Sequence, residues 1–235
     1  MTAYLGSKAT IAWKIAQTLK RYQRGRRFWE PFCGALNVTT ELSLNGPGMA
    51  SDISVPLISL FRAIQDGWEA PANVSRQDYH DFTRLPDSDP HKGFAEFFVS
   101  FGTKWGGGYA RSQNDGRYLS IVQSLRRTLI TLEVRGVSIE CRSFFDTEPH
   151  AAEELTIYCD PPYEGTTNPY GTGDFDHETF WAVCRRWAIC GVPVFVSEYS
   201  APDFAELLWE VKKNVSVQGG TEVGARIERL YKVGS

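Results

Sequence analysis

The stretch Leu155–Tyr163, with the sequence LTIYCDPPY, decides the fold because it marks a buried strand and the point at which that strand ends. Its first five residues suit the interior of a sheet, and the acid that follows them, Asp160, is costly to bury unless it has a function. Pro161 and Pro162 end the strand and stiffen the loop that carries Tyr163. A carboxylate, a rigid prolyl carbonyl and an aromatic ring together suit a planar base with an exocyclic amine. The alternative is an ordinary strand-to-loop junction with a proline stop.

A second strand, followed by a glycine turn, lies near the start of the chain. Residues 28–32 (FWEPF) predict a short buried strand, and the turn at Cys33-Gly34 precedes a helix that Asn37 can cap and that runs to about Leu44. A strand, a tight glycine turn and a helix form the first half of a nucleotide-binding βα unit. The complete GxGxxG motif is absent, so the glycine signal alone is weak.

Residues 49–51 predict another short strand, which ends at Asp52. This acid stands about as far beyond Gly34 as the acid that binds ribose hydroxyls in nucleotide-binding folds. It is also placed to cap a helix predicted from about Pro56 to Asp66, and the two roles are compatible.

The positive charge of the chain is concentrated in two regions, although the formal net charge is −3. Residues 1–27 contain lysines and arginines but no acid, and residues 101–127 contain five basic residues against one acid. Such patches fit a polyanion held on one face, while a solvated helix end would also explain the first of them. Within that first region, helical spacing of apolar residues predicts a helix over 7–22 with Ser7 as its cap, preceded by a loop that favours anionic ligands.

Residues 68–136 differ in character from the rest and predict a helical insertion between two halves of a sheet. Polar loops with prolines precede helices near 92–100 and 118–132. Between the helices, a glycine run is flanked by rings that can stack and by cations that can bind phosphate: Lys104, Trp105, Tyr109 and Arg111. A mobile loop with a buried tryptophan is the alternative. Residues 1–67 and 137–235 would then form the catalytic domain.

The strand pattern resumes after the insertion and gives the fold class. Strands are predicted at 137–141, 155–159 and 193–197, with a helix at 176–190, and the chain closes with a hairpin of residues 210–216 and 226–233. Alternating strands and helices predict an α/β fold with a doubly wound, mainly parallel sheet and an antiparallel C-terminal edge.

The composition of the chain indicates its cellular compartment and argues against a bound metal. The chain has 42% hydrophobic and 23% charged residues, and no run is apolar and long enough to cross a bilayer or to form a signal peptide. Its five cysteines include no CxxC pair, and its four histidines are scattered. We therefore expect reduced thiols, no metal, no membrane association and a cytoplasmic setting.

The motifs, in this order, resemble those of the Dam-like (D12 class) DNA adenine-N6 methyltransferases. In these enzymes the cofactor motifs precede the target-recognition region and a DPPY motif follows it. The matching segments are residues 4–8 (YLGSK), 28–38 (FWEPFCGALNV), 51–53 (SDI), 141–144 (CRSF), 160–163 (DPPY) and 218–221 (QGGT). Two positions depart from the family pattern, since Gly106 and Glu198 stand where asparagine is common. The recognition sequence and the role of residues 197–199 therefore stay open.

The resemblance implies a Rossmann-like class I methyltransferase that transfers a methyl group from S-adenosyl-L-methionine to N6 of an adenine flipped out of double-stranded DNA. The implied catalytic residues are Asp160, Pro161, Pro162 and Tyr163. The implied cofactor-binding residues are Tyr4, Lys8, Glu30, Pro31, Phe32, Gly34, Asp52, Phe144 and Asp160. The implied DNA-binding residues are Lys104, Trp105, Tyr109 and Arg111.

The resemblance also suggests a monomer that acts at the nucleoid of a prokaryotic or phage-infected cell, for example in restriction-modification. The open alternatives are methylation of cytosine N4, of RNA adenine or of a glutamine amide, and a catalytically silent DNA-binding homologue. A nucleotide-dependent oxidoreductase is disfavoured by the missing GxGxxG motif.

Overall fold

The structure is a computed structural model that describes residues 8–23, 25–101, 107–110, 117–146, 154–165, 175–216 and 223–235. The strands are β1 (Arg27–Glu30), β2 (Gly48–Asp52), β3 (Val137–Cys141), β4 (Leu155–Cys159), β5 (Val194–Glu198), β6 (Ala205–Ser216) and β7 (Val223–Val233). The helices are α1 (Ala12–Gln23), α2 (Asn37–Leu42), α3 (Val55–Gln65), α4 (Arg76–Phe82), α5 (Pro90–Phe94), α6 (Arg117–Val134) and α7 (His177–Ile189), and a π-helix (Ala95–Val99) continues α5.

The seven strands formed by the described residues lie in one sheet, in the order β3-β2-β1-β4-β5-β7-β6. The neighbours from β3 to β5 pair in parallel, and β7 is antiparallel to both β5 and β6. This arrangement confirms the predicted α/β class with an antiparallel C-terminal hairpin. Successive strands are added in one direction from β1 and in the other from β4, so the carboxyl ends of β1 and β4 form a topological switch point. Sheets of this kind bind their ligands at such a point.

Helices cover both faces of the sheet, as expected for a doubly wound fold. Alternate strand residues point to opposite faces. Phe28, Tyr158 and Phe195 join a buried cluster to which α1, α3 and α6 contribute. Their strand neighbours Trp29 and Val194 join a second cluster that contains apolar side chains of α7. The acids at the strand ends are therefore carried by a sheet that is fixed from both sides.

The first helix begins later than the sequence predicts. The expected cap, Ser7, lies outside the described residues, and α1 begins at Ala12. The carbonyl of Lys8 accepts hydrogen bonds from the amides of Ile11 and Ala12, at 2.9 and 2.8 Å, and closes a turn before the helix. The predicted apolar face is confirmed, since all its members are buried: Ile11, Ala12, Ile15, Ala16 and Leu19. The side chain of Lys8, before this turn, is buried.

Two local predictions around the first strand are corrected. The strand ends at Glu30, two residues before the predicted end, because Pro31 has no amide to donate to a neighbouring strand. Asn37 is the first residue of α2 and not its cap. The cap position belongs to Leu36, whose φ of 60° places it in the left-handed region, and α2 ends at Leu42.

Asp52 is not the cap of the following helix. Ser54 occupies that position, and its hydroxyl accepts a hydrogen bond from the amide of Leu57. The helix runs from Val55 to Gln65, close to the predicted bounds. The carboxylate of Asp52 therefore lies at the edge of the sheet and does not cap the helix.

The described part of the predicted insertion, residues 68–136, consists of helices and one isolated bridge. α4 was not expected, and the predicted helix over 92–100 is the short α5 followed by the π-helix. Ser100 and Tyr109 form an antiparallel bridge at the base of the glycine loop. Phe94 and Leu129 belong to the same buried cluster as the sheet residue Phe28, so the insertion shares its core with the sheet.

Candidate active site

Carboxylates end four adjacent strands at one edge of the sheet. Asp52 ends β2, Glu30 ends β1, Asp160 directly follows β4, and Glu198 ends β5. These strands are parallel neighbours, so their carboxyl ends meet. The charge of Asp160 raises the pKa of both Glu30 and Glu198, as expected for groups that share one site. The structure thus brings together three predicted site residues and adds Glu198, for which the sequence offers no role.

Lys8 places a cation among these acids. Its side chain is 6% exposed, and Nζ lies 2.8 Å from Oδ1 of Asp160 and 3.5 Å from Oε2 of Glu228. Burial alone lowers the pKa of Lys8, but the charges and hydrogen bonds of the two carboxylates outweigh burial and raise that pKa above its usual value. Lys8 is therefore charged at neutral pH and compensates part of the negative charge.

Asp52 holds the glycine turn. Its Oδ2 accepts a hydrogen bond from the amide of Gly34 at 3.1 Å, and its Oδ1 accepts one from the amide of Ser54 at 3.0 Å. Gly34 has a φ of 43°, in the region that favours glycine. Burial raises the pKa of Asp52, and these amides partly oppose the rise. A carboxylate has about four lone-pair sites, so both oxygens keep capacity for a further donor such as a ribose hydroxyl.

Glu30 is the most deeply buried acid of the predicted cofactor motif. The hydroxyl of Thr39 on α2 donates to its Oε2. Burial raises the pKa of Glu30 well above its usual value, the hydrogen bond from Thr39 opposes the rise, and the charges of Asp160 and Asp52 add to it. Glu30 therefore releases its proton less readily than an exposed glutamate does.

Tyr163 is held by groups that are distant in sequence. Its hydroxyl donates to Oε2 of Glu228 at 2.8 Å, and its ring meets that of Tyr199 edge-on, with centroids 4.6 Å apart at 86°. Nζ of Lys8 lies 4.8 Å from the Tyr163 centroid. Burial, followed by the charges of Asp160 and Glu228, raises the pKa of Tyr163 well above its usual value, so the hydroxyl stays protonated and donates.

Glu198 joins the DPPY loop to the end of β5. Its Oε2 accepts a hydrogen bond from the amide of Glu164 at 3.2 Å, and its Oε1 accepts one from the amide of Tyr199 at 2.7 Å. Burial raises the pKa of Glu198 to about 7, against the opposing effect of these two amides. Ser197 is also buried and shares a 2.8 Å hydrogen bond with the hydroxyl of Tyr158. Residues 197–199 therefore support the loop that carries Tyr163.

Aromatic side chains around Phe144 pack together into a wall. The predicted adenine contact, Phe144, is 3% exposed and packs against Trp29, Phe180 and Phe32. Phe145, its neighbour, is 42% exposed and contacts both the Phe144 and Phe175 rings. Phe144 therefore lies within the core and supports the wall, while the ring of Phe145 is exposed to solvent. The sequence did not predict a role for Phe145.

The predicted DNA-binding residues fall mostly outside the described residues. Lys104, Trp105 and Arg111 do so, as do Tyr4 and residues 218–221. Tyr109 lies at the base of the glycine loop, where its hydroxyl donates to the carbonyl of Val74 at 2.7 Å. Tyr109 is thus fixed by contacts with Val74 and Ser100, and its contact with DNA stays a prediction.

A groove lies next to the candidate site but is separate from it. The groove has a volume of about 840 Å³ and is lined by α7, residues 200–202 and Phe204, with Trp181 and Arg185 among the α7 side chains. It reaches the DPPY loop at Glu164, but none of the predicted cofactor residues that the structure describes lines it.

Two further observations concern other ligand classes and membranes. Among the described residues, no three histidine, cysteine or acidic side chains are placed to hold a metal ion. No helix in the described part of the chain has the length and apolar character needed to cross a membrane.

Sequence reasoning missed Glu228, Thr39 and Tyr199 as members of the site. Thr39 follows the glycine turn closely, so its position early in α2 could have suggested it. Glu228 offered no comparable signal, because only the pairing of β7 with β5 brings it to this edge. Tyr199 directly follows the end of β5, and its position after that strand was the available signal.

The residues at this edge fit S-adenosylmethionine. Asp52, Asp160 and Glu198 lie at the ends of neighbouring parallel strands, and Lys8 compensates only part of their charge, so cationic ligand groups such as a sulfonium and an ammonium are favoured electrostatically. Asp52 keeps acceptor capacity for a ribose diol, and Phe145 has an exposed ring.

Comparison with solved structures finds general likeness at low sequence identity. The Escherichia coli protein YhhF, described as a methyltransferase, has a TM-score of 0.38 and 12% identity, over 94% of this chain and 85% of that one. SMU.472, described as a methyltransferase and solved with SAH, has a TM-score of 0.37 and 12% identity, over 97% of this chain and 54% of that one. This chain thus spans about half the length of the second protein.

Comparison with protein families is more specific. The profile of the D12 class N6 adenine-specific DNA methyltransferases matches residues 4–121, just over half of the 235-residue chain. The match includes Lys8, Glu30, Gly34 and Asp52 and ends within α6, before the DPPY motif. The expected family is therefore confirmed: this chain belongs to the D12 class N6 adenine-specific DNA methyltransferases, whose methyl donor is S-adenosylmethionine.

Proposed function

We propose that this chain methylates N6 of an adenine that is flipped out of duplex DNA. The observation that supports this proposal best is the carboxylate of Asp160 at the end of β4, held by Lys8 and followed by two prolines and a fixed Tyr163. Family membership points to the same base and atom.

Asp160 and the carbonyl of Pro161 are the proposed acceptors for the two N–H groups of the adenine amine. The lone pair of that amine is delocalised into the ring, and two acceptors favour the rehybridised form of the nitrogen. Acceptors fixed before the reaction stabilise developing positive charge in the transition state. Lys8 orients the carboxylate of Asp160 through Oδ1, which lies 2.8 Å from Nζ.

The cofactor supplies an electrophilic methyl group on a sulfonium. In our proposal Asp52 binds its ribose hydroxyls, residues 30–34 surround its methionine portion, and Phe144 supports the ring wall beside its adenine. Lys8 and Tyr4 complete the proposed cofactor set. The acid-rich edge favours the positive charges of this ligand.

N6 is paired inside duplex DNA, so the target base must leave the helix before it can reach Asp160. Tyr163 is the proposed stacking surface for that base. Residues 68–136 are the proposed target-recognition region, in which Lys104, Trp105, Tyr109 and Arg111 contact DNA. The acting unit is proposed to be a monomer at the nucleoid of a prokaryotic or phage-infected cell.

The test uses plasmid DNA from a methylation-free host, incubated with the protein and S-adenosylmethionine and then mapped by single-molecule modification sequencing. N6-methyladenine at defined positions is expected. N4-methylcytosine, or methylation of RNA alone, would contradict the proposal in favour of the related amine methyltransferases. Binding of plasmid without any methyl transfer would indicate a catalytically silent homologue.

Two variants connect the activity to the site. Asp160→Ala should abolish methyl transfer and leave DNA binding largely intact, because it removes a proposed acceptor for the target amine and leaves the proposed DNA-contacting residues in place. Tyr163→Ala should weaken capture of the base. Wild-type turnover by Asp160→Ala would rule out the assigned role of this acid.

A further inference from the structure

Glu228 lies on β7, the strand that enters the sheet antiparallel to β5. Glu198, at the carboxyl end of β5, pairs with Arg229, so Glu228 stands at the same edge as the acids that end the parallel strands. Its side chain is only 12% exposed. Glu228 comes 65 residues after Tyr163, and their contact is therefore a product of the tertiary structure.

Two groups of the candidate site converge on one oxygen of Glu228. The hydroxyl of Tyr163 donates to Oε2 at 2.8 Å, while Nζ of Lys8 lies 3.5 Å from the same atom. Lys8 is closer to Asp160, at 2.8 Å. The ammonium is thus held mainly by Asp160, and the shorter contact of Glu228 is the one with Tyr163.

We infer that Glu228 is a positioning residue, which fixes the ring of Tyr163 for stacking on the target base. This inference rests on the proposed function. The prolines before Tyr163 restrict the backbone but leave the side-chain torsions of the tyrosine free. Glu228 accepts a hydrogen bond from the hydroxyl of Tyr163, and the ring of Tyr199 contacts the ring of Tyr163 edge-on.

A ring fixed before the base arrives loses less conformational entropy when the base binds. Ordering a side chain at a binding surface opposes binding, so an ordered Tyr163 favours capture of the flipped base. The effect acts on affinity for DNA and leaves the acceptors for the amine unchanged. Loss of Glu228 should therefore raise KM for DNA more than it lowers kcat.

The test is a double-mutant cycle with Tyr163→Phe and Glu228→Met, measured as methyl transfer to plasmid DNA from a methylation-free host. Tyr163→Phe keeps the ring and removes the hydroxyl, while Glu228→Met keeps the side-chain length and removes the acceptor. Each single substitution should lower kcat/KM about fivefold to tenfold, mainly through KM, and leave the affinity for S-adenosylmethionine unchanged. The double variant should be no slower than the slower single variant. Losses that multiply would overturn the inference, since the two residues would then act independently.

Glu228→Gln separates the hydrogen bond from the charge. Its amide oxygen can still accept the hydroxyl of Tyr163, although the charge near Lys8 is lost. We expect Glu228→Gln to stay close to wild type and well above Glu228→Met. Equal losses in the two variants would show that Glu228 acts through the charge of Lys8, and would overturn the inference even if Glu228→Met folds poorly.

Tyr22→Phe, on α1, is the matched control for loss of a tyrosine hydroxyl and should behave as wild type. Failure of the proposed function would look different from failure of the inference. A wild-type protein that does not methylate DNA contradicts both, whereas an active wild type with multiplicative losses contradicts only the role of Glu228.

Discussion

Nζ of Lys8 lies 2.8 Å from Oδ1 of Asp160, and this ion pair joins the N-terminal segment to the end of β4. The side chains of Lys8 and Asp160 are 6% and 18% exposed, so both charges are largely removed from water. Removal of one partner from such a pair leaves the other charge buried and uncompensated. The family match includes Lys8, and the structure gives it a contact with the acid proposed to bind the target amine.

Lys8→Met should lower the free energy of unfolding by about 3 kcal/mol, because Asp160 and Glu228 would lose their shared cation. Methyl transfer should fall at least about 100-fold, since Asp160 would no longer be held in place. Urea denaturation and methylation of plasmid DNA measure the two effects. Lys14→Met is the control: Nζ of Lys14 lies 4.3 Å from the ring of Trp209 at the surface, and its loss should cost less than about 1 kcal/mol.

Asp52→Asn should weaken binding of S-adenosylmethionine about tenfold or more, because an amide cannot accept hydrogen bonds on both sides as the carboxylate does. Calorimetric titration of the free protein measures this effect without DNA. Asp66→Asn, at the exposed end of α3, is the matched control and should bind as wild type. Unchanged affinity in Asp52→Asn would exclude the ribose-binding role.

The pH dependence of kcat/KM should include an ionisation near 7 that belongs to Glu198. Above this pH, the carboxylate is the stronger acceptor for the amides of Glu164 and Tyr199, so the DPPY loop is held better and the rate should rise. Glu198→Gln should lose this ionisation while it keeps measurable activity. If the profile of Glu198→Gln matches that of wild type, another group is responsible.

Glu96 should make the stability of the protein depend on pH. Its side chain is buried in the π-helix, Oε2 has no hydrogen-bond partner among the described residues, and burial raises its pKa from 4.5 to about 7, partly opposed by the charge of Lys92. The folded state therefore keeps a proton that the unfolded state releases between these pH values. The stability contributed by Glu96 is complete below about pH 4.5 and is lost as the pH rises through 7.

Thermal unfolding of wild type and Glu96→Gln at pH 5 and pH 8 measures this effect. Glutamine does not titrate, so the stability of the variant relative to wild type should improve from pH 5 to pH 8. A constant difference between the two proteins would show that Glu96 titrates near its ordinary pKa.

Lys104→Ala combined with Arg111→Ala should weaken DNA binding and reduce its salt dependence. For every phosphate that these cations neutralise in the wild type, the slope of log K against log salt should fall by about 0.9. Fluorescence anisotropy with a duplex at several salt concentrations measures the slope. Arg84→Ala, outside the glycine loop, is the control. An unchanged slope in the double variant would place the phosphate-binding cations elsewhere.

Local patterns were enough to predict most of the sheet. β3 and β4 have the predicted bounds, because short apolar runs next to turn residues are local signals. The start of α1 and the cap of α2 were wrong. Lys8 is drawn into a buried ion pair, and Leu36 adopts a left-handed conformation that local propensity does not favour.

The sequence by itself determined the α/β class, the DPPY loop and the family, because each depends on residues that are neighbours in the chain. Only the tertiary structure decided which side chains surround Asp160. Lys8, Glu198 and Glu228 come from the N-terminal turn, β5 and β7, and they meet because of strand order and the antiparallel entry of β7. Contacts between residues so far apart in sequence depend on which strands pair and in what register. A local sequence pattern specifies neither.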